Sequence, residues 1–180
     1  MLHKPVLAAL LGLLVLIGGY ALAGPDRVAF PQDYARTWVK YTVVERPDRK
    51  IVRNVYVNPE AHAKAKAGQP APDGAVLVIE DMKVKLDASG APVIGADGRF
   101  EPTGEVTAIF VMEKRAGWGE AYPEDRRNGD WDYSSFAPDG AVRPSLNTSA
   151  CFSCHMSRKG ERDFTFTYAK VLLDRQKPGP

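Results

Sequence analysis

The sequence predicts an α+β fold, with a mainly antiparallel β-sheet, peripheral helices and one further helix late in the chain. Stretches in which apolar and polar residues alternate dominate the middle of the 180-residue chain, and this period of two is typical of strands rather than of a helical bundle. Turns rich in proline and glycine separate these stretches. The two longest stretches flank a single connection, which predicts a long antiparallel hairpin.

The N-terminus has the pattern of an export signal. A short basic start precedes an apolar, leucine-rich run at residues 5–19, and Ala21 and Ala23 form a small-x-small cleavage site. We expect cleavage after Ala23, which makes residues 1–23 a signal peptide, leaves residues 24–180 as a single domain and places the protein in the periplasm. The alternative is an uncleaved anchor, because the stretch from Pro5 to Ala23 has 19 residues, close to the roughly 20 that span a bilayer.

The charge balance excludes some classes of partner. Lysine and arginine total 24, aspartate and glutamate total 22, and the formal net charge is +2. Such a small excess gives no strong attraction to nucleic acid or to an anionic membrane surface. We therefore expect no nucleic-acid partner and no peripheral membrane binding.

The first predicted element of the mature chain is a helix. Pro31 suits the first turn of a helix, and Tyr34, Trp38 and Tyr41 recur at i, i+4 and i+7 as one apolar face. The proline and charged residues at 46–50 then predict a turn.

A strand and a short helix follow. Residues 51–57 alternate as a strand, and Arg53 falls on a face that is otherwise apolar. Arg53 is therefore either a surface residue at a strand edge or a cation that points into a pocket. A short helix begins after Asn58, the expected cap, and ends at Gly68. It carries His62, which we expect to be exposed because the helix is so polar.

The hairpin and one more strand occupy the middle of the chain. Residues 75–86 and residues 106–112 have strong β-forming patterns. The order of faces in the first stretch breaks at residues 80–82, which predicts a bulge. Residues 87–103 connect the two strands, and residues 129–136 form the last strand before the late helix.

Cys151, Cys154 and His155 form the Cys-x-x-Cys-His pattern of c-type haem attachment. On a helix these three residues share one face, so two thioethers can form at one edge of a porphyrin while the imidazole becomes the proximal iron ligand. Thr148 or Ser149 can cap the start of this helix. Haem attachment takes place outside the cytoplasm, which agrees with the export signal.

Two other chemistries fit a Cys-x-x-Cys pair. A redox disulfide normally opens a helix after a strand in a βαβ unit, and no such unit precedes the motif. A structural zinc ion needs about four ligands, whereas the chain has two cysteines and three histidines, one of them in the predicted signal. One covalently attached haem c is therefore the favoured cofactor, and both alternatives remain open.

Several segments together resemble the cytochrome P-460 / cytochrome c′-β family. The matching pieces, in chain order, are residues 55–60, 73–76, 111–114, 129–131, 151–155 and 163–167. The resemblance implies a predominantly β, homodimeric, periplasmic monohaem protein with His155 as the iron ligand and an open distal side. It also implies that Arg53 corresponds to an arginine of the distal pocket.

One departure from the family pattern bears on activity. Members that oxidise hydroxylamine carry a lysine cross-linked to the porphyrin, and the corresponding position here is Ile79. Lys83 and Lys85 lie on the same strand, but a shift of four or six residues moves a side chain by roughly 13 to 20 Å. The sequence is therefore nearer to the c′-β branch, whose members bind nitric oxide or carbon monoxide. Ile79, with Leu77 or Phe110, is expected to form the apolar distal wall.

Three functions are compatible with these residues. The first is a five-coordinate cytochrome that binds a small gas or passes electrons to a redox partner protein. The second is an oxidoreductase acting on hydroxylamine or nitric oxide, which needs a proton acceptor. The third is a six-coordinate electron carrier, which needs a second ligand. The candidate proton acceptors, each expected to be solvated, are Glu80, Asp81 and Glu113, and the candidate second ligands are Met82, Met112 and His62.

Overall fold

The computed structural model describes residues 27–66, 68–143, 147–160 and 162–168. The predicted signal peptide, residues 1–23, lies outside the described residues. Within the described ranges, no helix has both the length and the apolar character needed to cross a membrane.

Five strands form one antiparallel sheet in which each strand pairs with its neighbours in sequence, in the order β1-β2-β3-β4-β5. The strands are β1 Val39–Arg46, β2 Ile51–Val57, β3 Val76–Val84, β4 Pro102–Lys114 and β5 Trp131–Phe136. The α-helices of the described part are α1 Tyr34–Thr37, α2 Pro59–Lys64 and α3 Ser149–Met156. This architecture confirms the predicted α+β class.

The central hairpin follows the predicted pattern. β2 has the predicted bounds, and β3 and β4 pair as the expected antiparallel hairpin. The β3–β4 register shifts on both sides of Met82, which confirms the predicted bulge. The connection between the two strands forms an arm closed by two isolated β-bridges. A hydrogen bond of 2.7 Å from the Phe100 N–H to Glu45 Oε1 ties this arm to β1.

The predicted helix through Tyr41 is wrong. The helix α1 ends at Thr37, Trp38 is already extended with φ −97° and ψ 163°, and Tyr41 lies in β1. β-branched side chains lose χ1 freedom in a helix and favour strands, and in the observed structure the backbone of this segment pairs with β2. The β-branched residues responsible are Val39, Thr42, Val43 and Val44.

The second helix differs from its prediction in two details. It starts at Pro59 as expected but ends at Lys64, before Gly68. Asn58 occupies the cap position without a side-chain capping hydrogen bond. Its Oδ1 atom instead accepts a hydrogen bond of 2.9 Å from the N–H of Val76. The asparagine therefore joins the start of α2 to β3 rather than capping the helix.

Successive side chains of the strands point to two faces of the sheet. The far face is covered by the segment before β1, and its buried cluster consists of Val28, Tyr34, Tyr56, Val78, Ile109, Val111 and Phe136. The near face carries the strand residues Tyr41, Val55, Val57, Leu77, Met112, Trp131 and Tyr133. Phe152 of α3 and Phe164 and Tyr168 of the following loop pack against these near-face residues.

Glu80 is buried on the far face, where only 5% of the residue is exposed. The Tyr34 hydroxyl donates to its Oε2 atom at 2.7 Å, and Asn54 Nδ2 donates to its Oε1 atom at 2.9 Å. The expectation of a solvated carboxylate is therefore wrong. The N-terminal segment covers the Glu80 carboxylate. The two donors compensate for the water that this carboxylate loses, because a buried carboxylate needs hydrogen-bond partners.

Candidate functional site

Thr148 occupies the N-cap position of α3 without a side-chain capping hydrogen bond, so the cap expected from Thr148 or Ser149 is not formed. Asn147 Oδ1 instead accepts the N–H of Ser149 at 3.0 Å. Two contacts of Phe152 hold the helix on the near face. The ring of Phe152 is tilted over Tyr122 with the centroids 4.6 Å apart. Asn128 Nδ2 donates to the Phe152 carbonyl at 3.0 Å.

The same face of α3 presents the three residues of the predicted attachment motif. Cys151, Cys154 and His155 all line one cavity between the helix and the sheet, as the i, i+3, i+4 spacing predicts. Burial first, and then the neighbouring Cys154 thiol, raise the pKa of Cys151 above its usual value. A redox-active Cys-x-x-Cys motif needs a lowered thiol pKa, so this environment does not favour a catalytic disulfide.

The imidazole of His155 is oriented by one backbone carbonyl. Its Nδ1 atom lies 2.6 Å from the carbonyl oxygen of Phe164. Because a carbonyl can only accept, Nδ1 carries the proton and Nε2 keeps its lone pair. Burial lowers the pKa of His155, and the hydrogen bond to the Phe164 carbonyl opposes this shift. The neutral imidazole that results is the form that binds a metal ion.

Two aromatic rings also contact this imidazole. The ring of Tyr133 lies 4.9 Å from that of His155, and Phe166 meets His155 edge to face at 5.0 Å. The guanidinium of Arg158 lies over the ring of Phe166, with its Cζ atom 4.6 Å from the centroid. The imidazole is therefore held between a strand residue and a loop residue, which restricts its rotation.

The carbonyl that orients His155 belongs to a strained turn. Asp163 and Phe164 both have left-handed backbones, with φ 45° and φ 59°. A residue other than glycine pays roughly 1 to 2 kcal/mol for this conformation. Two such residues in succession persist only where the surrounding contacts impose them.

The motif residues open into a cleft made of two adjoining cavities. The cavity beside β5 measures about 240 Å³ and the cavity beside β1 about 230 Å³. Together they fall within the range of about 300 to 1,000 Å³ that is usual for cofactor sites. The residues that line both cavities are Arg53, Leu77, Ile79, Met112, Cys154 and His155.

The wall of the cleft opposite α3 is apolar. Leu77, Ile79 and Phe110, the residues predicted for the distal wall, all line the β5-side cavity. In the described part of the chain, no lysine lines either cavity. Lys83 and Lys85 instead pair with Glu105 and Glu101, carboxylates of β4 and of the arm that precedes it.

Arg53 lines both cavities, so its side chain faces the cleft rather than the solvent at a strand edge. Its Nε and Nη2 atoms donate to the two carboxylate oxygens of Asp81 at 2.7 and 3.1 Å. The Asp81 side chain is 4% exposed and that of Arg53 is 20% exposed. Asp81 is therefore paired and buried rather than solvated, and the expectation of a solvated carboxylate is wrong here; the local sequence does not reveal its pairing with Arg53.

The remaining candidates are distributed unevenly. Met112 lines both cavities, whereas Met82 and His62 line neither. None of the three candidate proton acceptors lines the cleft, since Glu80 is on the far face and Glu113 pairs with Arg115 at 2.7 Å. His62 is half-buried in α2 rather than exposed.

Other possible sites fit the motif less well. A larger cavity of about 510 Å³ opens beside Phe152, Ser153 and Met156, and none of the three motif residues lines it. Within the described ranges, no group of three or more histidine, cysteine, aspartate and glutamate residues could hold a metal ion. The cleft is therefore the place where the donor atoms and the available space coincide.

The sequence model of one protein family, described as Cytochrome P460, matches residues 31–167, well over half of the chain. The match includes all five strands, α3 and the turn that orients His155. No curated protein matches the chain.

Proposed function

Because the chain belongs to the cytochrome P460 family of c-type haem proteins, we propose that it is a periplasmic monohaem cytochrome that binds a small gas such as nitric oxide or carbon monoxide. The iron of such a protein has five ligands and one open position. The periplasmic location is inferred from the signal peptide predicted at residues 1–23, with cleavage after Ala23.

Haem c, the family's cofactor, fits the residues of the cleft. Cys151 and Cys154 would form the two thioether bonds, and His155 would bind the iron through Nε2. The bound group supplies an iron that changes oxidation state and accepts a gas ligand. The protein contributes a neutral, oriented imidazole on one side and an apolar wall on the other.

The composition of this wall carries the proposal. Leu77, Ile79 and Phe110 offer no hydrogen-bond donor and no strong iron ligand, so they favour small apolar diatomic gases over polar substrates. The nearest cation, Arg53, donates to both oxygens of Asp81. Its charge is therefore already balanced within the protein.

An absorption spectrum of the reduced protein, before and after addition of carbon monoxide, tests this proposal. We expect a high-spin five-coordinate spectrum that converts fully to a carbon monoxide adduct, and an equivalent change with nitric oxide. A reduced protein that is low-spin and takes up neither gas would refute it.

A six-coordinate electron carrier is the second candidate, because Met112 lines both cavities. Thioether sulfur is a known axial ligand of c-type haem, although buried methionine more often fills space. The substitution Met112→Leu separates the two functions. An unchanged spin state supports the gas-binding function, whereas a change from low to high spin supports electron transfer to a redox partner protein.

Oxidation of hydroxylamine or nitric oxide is less favoured by the cleft. The position of the cross-linked lysine is occupied by Ile79, and none of the three candidate proton acceptors lines either cavity. The homodimer remains a prediction that rests on the family resemblance.

A further inference from the structure

We propose that the ion pair of Lys114 and Asp163 is a positioning device for His155 that sets how strongly the imidazole donates electrons to the haem iron. This inference rests on the proposed function, because it takes His155 as the iron ligand. The ion pair touches neither cavity, and its effect passes through the carbonyl of Phe164.

The pair is part of a compact network beneath the turn. Lys114 Nζ at the end of β4 donates to Asp163 Oδ2 at 2.9 Å and to the Ala71 carbonyl at 3.0 Å. The Ala71 N–H donates to the same Asp163 oxygen at 2.9 Å. The side chains of Lys114 and Asp163 are only 16% and 15% exposed. Trp131 Nε1 donates to the Asp163 carbonyl at 3.0 Å, so Asp163 is fixed at both its side chain and its backbone.

This fixation determines where the next carbonyl points. Asp163 and Phe164 both have positive φ angles, a conformation that such residues keep only under external constraint. Within the turn, the Phe164 N–H donates to the Arg158 carbonyl at 2.9 Å. The Phe164 carbonyl is then directed at His155 Nδ1. Without the Lys114 contact, the turn loses the charged anchor that opposes its relaxation.

The hydrogen bond to the carbonyl has a chemical consequence for a bound iron. Donation from Nδ1 makes an imidazole a more basic ligand at Nε2. A more basic axial ligand stabilises the oxidised iron and lowers the reduction potential. A relaxed turn lengthens this hydrogen bond, so we expect the potential to rise and the iron–histidine bond of the reduced protein to weaken.

The test compares three variants of the haem-loaded protein. Lys114→Leu removes the charged anchor, Lys114→Arg restores a donor at the same place, and Tyr34→Phe removes a buried hydrogen bond on the far face. The measurements are the reduction potential and the iron–histidine stretching frequency from resonance Raman spectroscopy. We expect Lys114→Leu to raise the potential and lower the frequency, Lys114→Arg to recover much of both, and Tyr34→Phe to change neither despite lowering the melting temperature.

Two results would overturn the inference. One is a Lys114→Leu protein with the potential and frequency of the wild type, and the other is an equal change in Tyr34→Phe, which would indicate a general effect of destabilisation. If Lys114→Leu does not fold, Asp163→Asn applies the same test, because it removes the charge and keeps an acceptor for the Ala71 N–H. Neither of the two overturning results would contradict the gas-binding proposal, because carbon monoxide uptake is measured separately on the same samples.

Discussion

The two faces of the sheet are built by alternate residues of the same strands, yet they serve different purposes. Val78 on the far face is fully buried, while its neighbour Ile79 on the near face is half-buried and lines the cleft. The far face is closed by a segment of the same chain. The near face is filled only in part, and α3 and its following loop leave the cleft between themselves and the strands.

The two buried carboxylates of β3, Glu80 and Asp81, also differ between the two faces. Glu80 is satisfied by two neutral donors, and one of them, Tyr34, ties the N-terminal segment to the sheet. Asp81, one residue later, is satisfied by the cation Arg53 at the edge of the cleft. The comparison indicates that the far face supplies stability and the near face supplies the site. Substitutions at matched positions on the two faces can break or sharpen this division.

The largest expected difference is between two phenylalanines. Phe136 is 2% exposed on the far face and packs 5.3 Å from the ring of Phe30, so Phe136→Ala should cost about 3 to 5 kcal/mol of stability. Phe110 is only half-buried by protein atoms, so Phe110→Ala should cost less, about 1 kcal/mol, because less apolar contact within the chain is lost. Chemical denaturation of both variants measures the difference. Equal losses would contradict the division.

The next effect concerns the ion pair at the cleft. Arg53→Leu leaves Asp81 buried without a cation, and this should cost about 3 kcal/mol of unfolding free energy. The double variant Arg53→Leu/Asp81→Leu should recover most of that loss because no buried charge remains. As a control, Lys83→Leu removes an exposed ion pair with Glu105 and should change stability little. A double variant as unstable as the single one would show that the arginine acts through packing.

Neighbouring residues of β3 give a smaller effect that separates stability from binding. Val78→Ala should lower stability by about 2 kcal/mol and leave the rate of carbon monoxide binding unchanged. Ile79→Ala should have the opposite profile, with a small loss of stability and a severalfold faster association because the distal wall recedes. Flash photolysis together with thermal unfolding checks both variants. A slowed or unchanged association in Ile79→Ala would argue against Ile79 as part of the ligand pocket.

The smallest effect is expected at alkaline pH on the far face. Burial, and then the charge of Glu80, raise the pKa of Tyr56 from 10.0 to about 12. Between these values the unfolded chain releases the phenolic proton before the folded chain does, so stability falls as the pH rises. The contribution of Tyr56 to this fall should be about 1 to 2 kcal/mol. Tyr56→Phe should make the decline between pH 10 and pH 12 shallower, and a decline as steep as that of the wild type would count against it.

Local patterns were sufficient to predict much of the sheet. The alternation of residues 51–57 predicted β2 with its bounds, and the broken order of faces near Met82 predicted the bulge. The prediction failed at Tyr41, where an aromatic spacing of i, i+4 and i+7 suggested a helix. The ladder with β2 decided that segment, and a ladder depends on a partner strand rather than on local spacing.

The site was predictable where it depended on spacing and unpredictable where it depended on distant partners. The shared face of Cys151, Cys154 and His155 follows from helical geometry. In contrast, Asp81 pairs with a residue 28 positions away, and Lys114 lies 49 positions from Asp163. The position of Arg53 on an otherwise apolar strand face could have suggested a buried carboxylate partner, but it could not identify Asp81 as that partner.

The intact mass of the exported protein, measured after denaturation, tests the central claim most directly. Expression in a host that attaches haem to c-type cytochromes should give the mass of the chain from residue 24 plus one haem that stays attached after denaturation. A haem-free chain whose mass is that of the reduced chain minus the two hydrogen atoms lost in a Cys151–Cys154 disulfide would contradict the central claim.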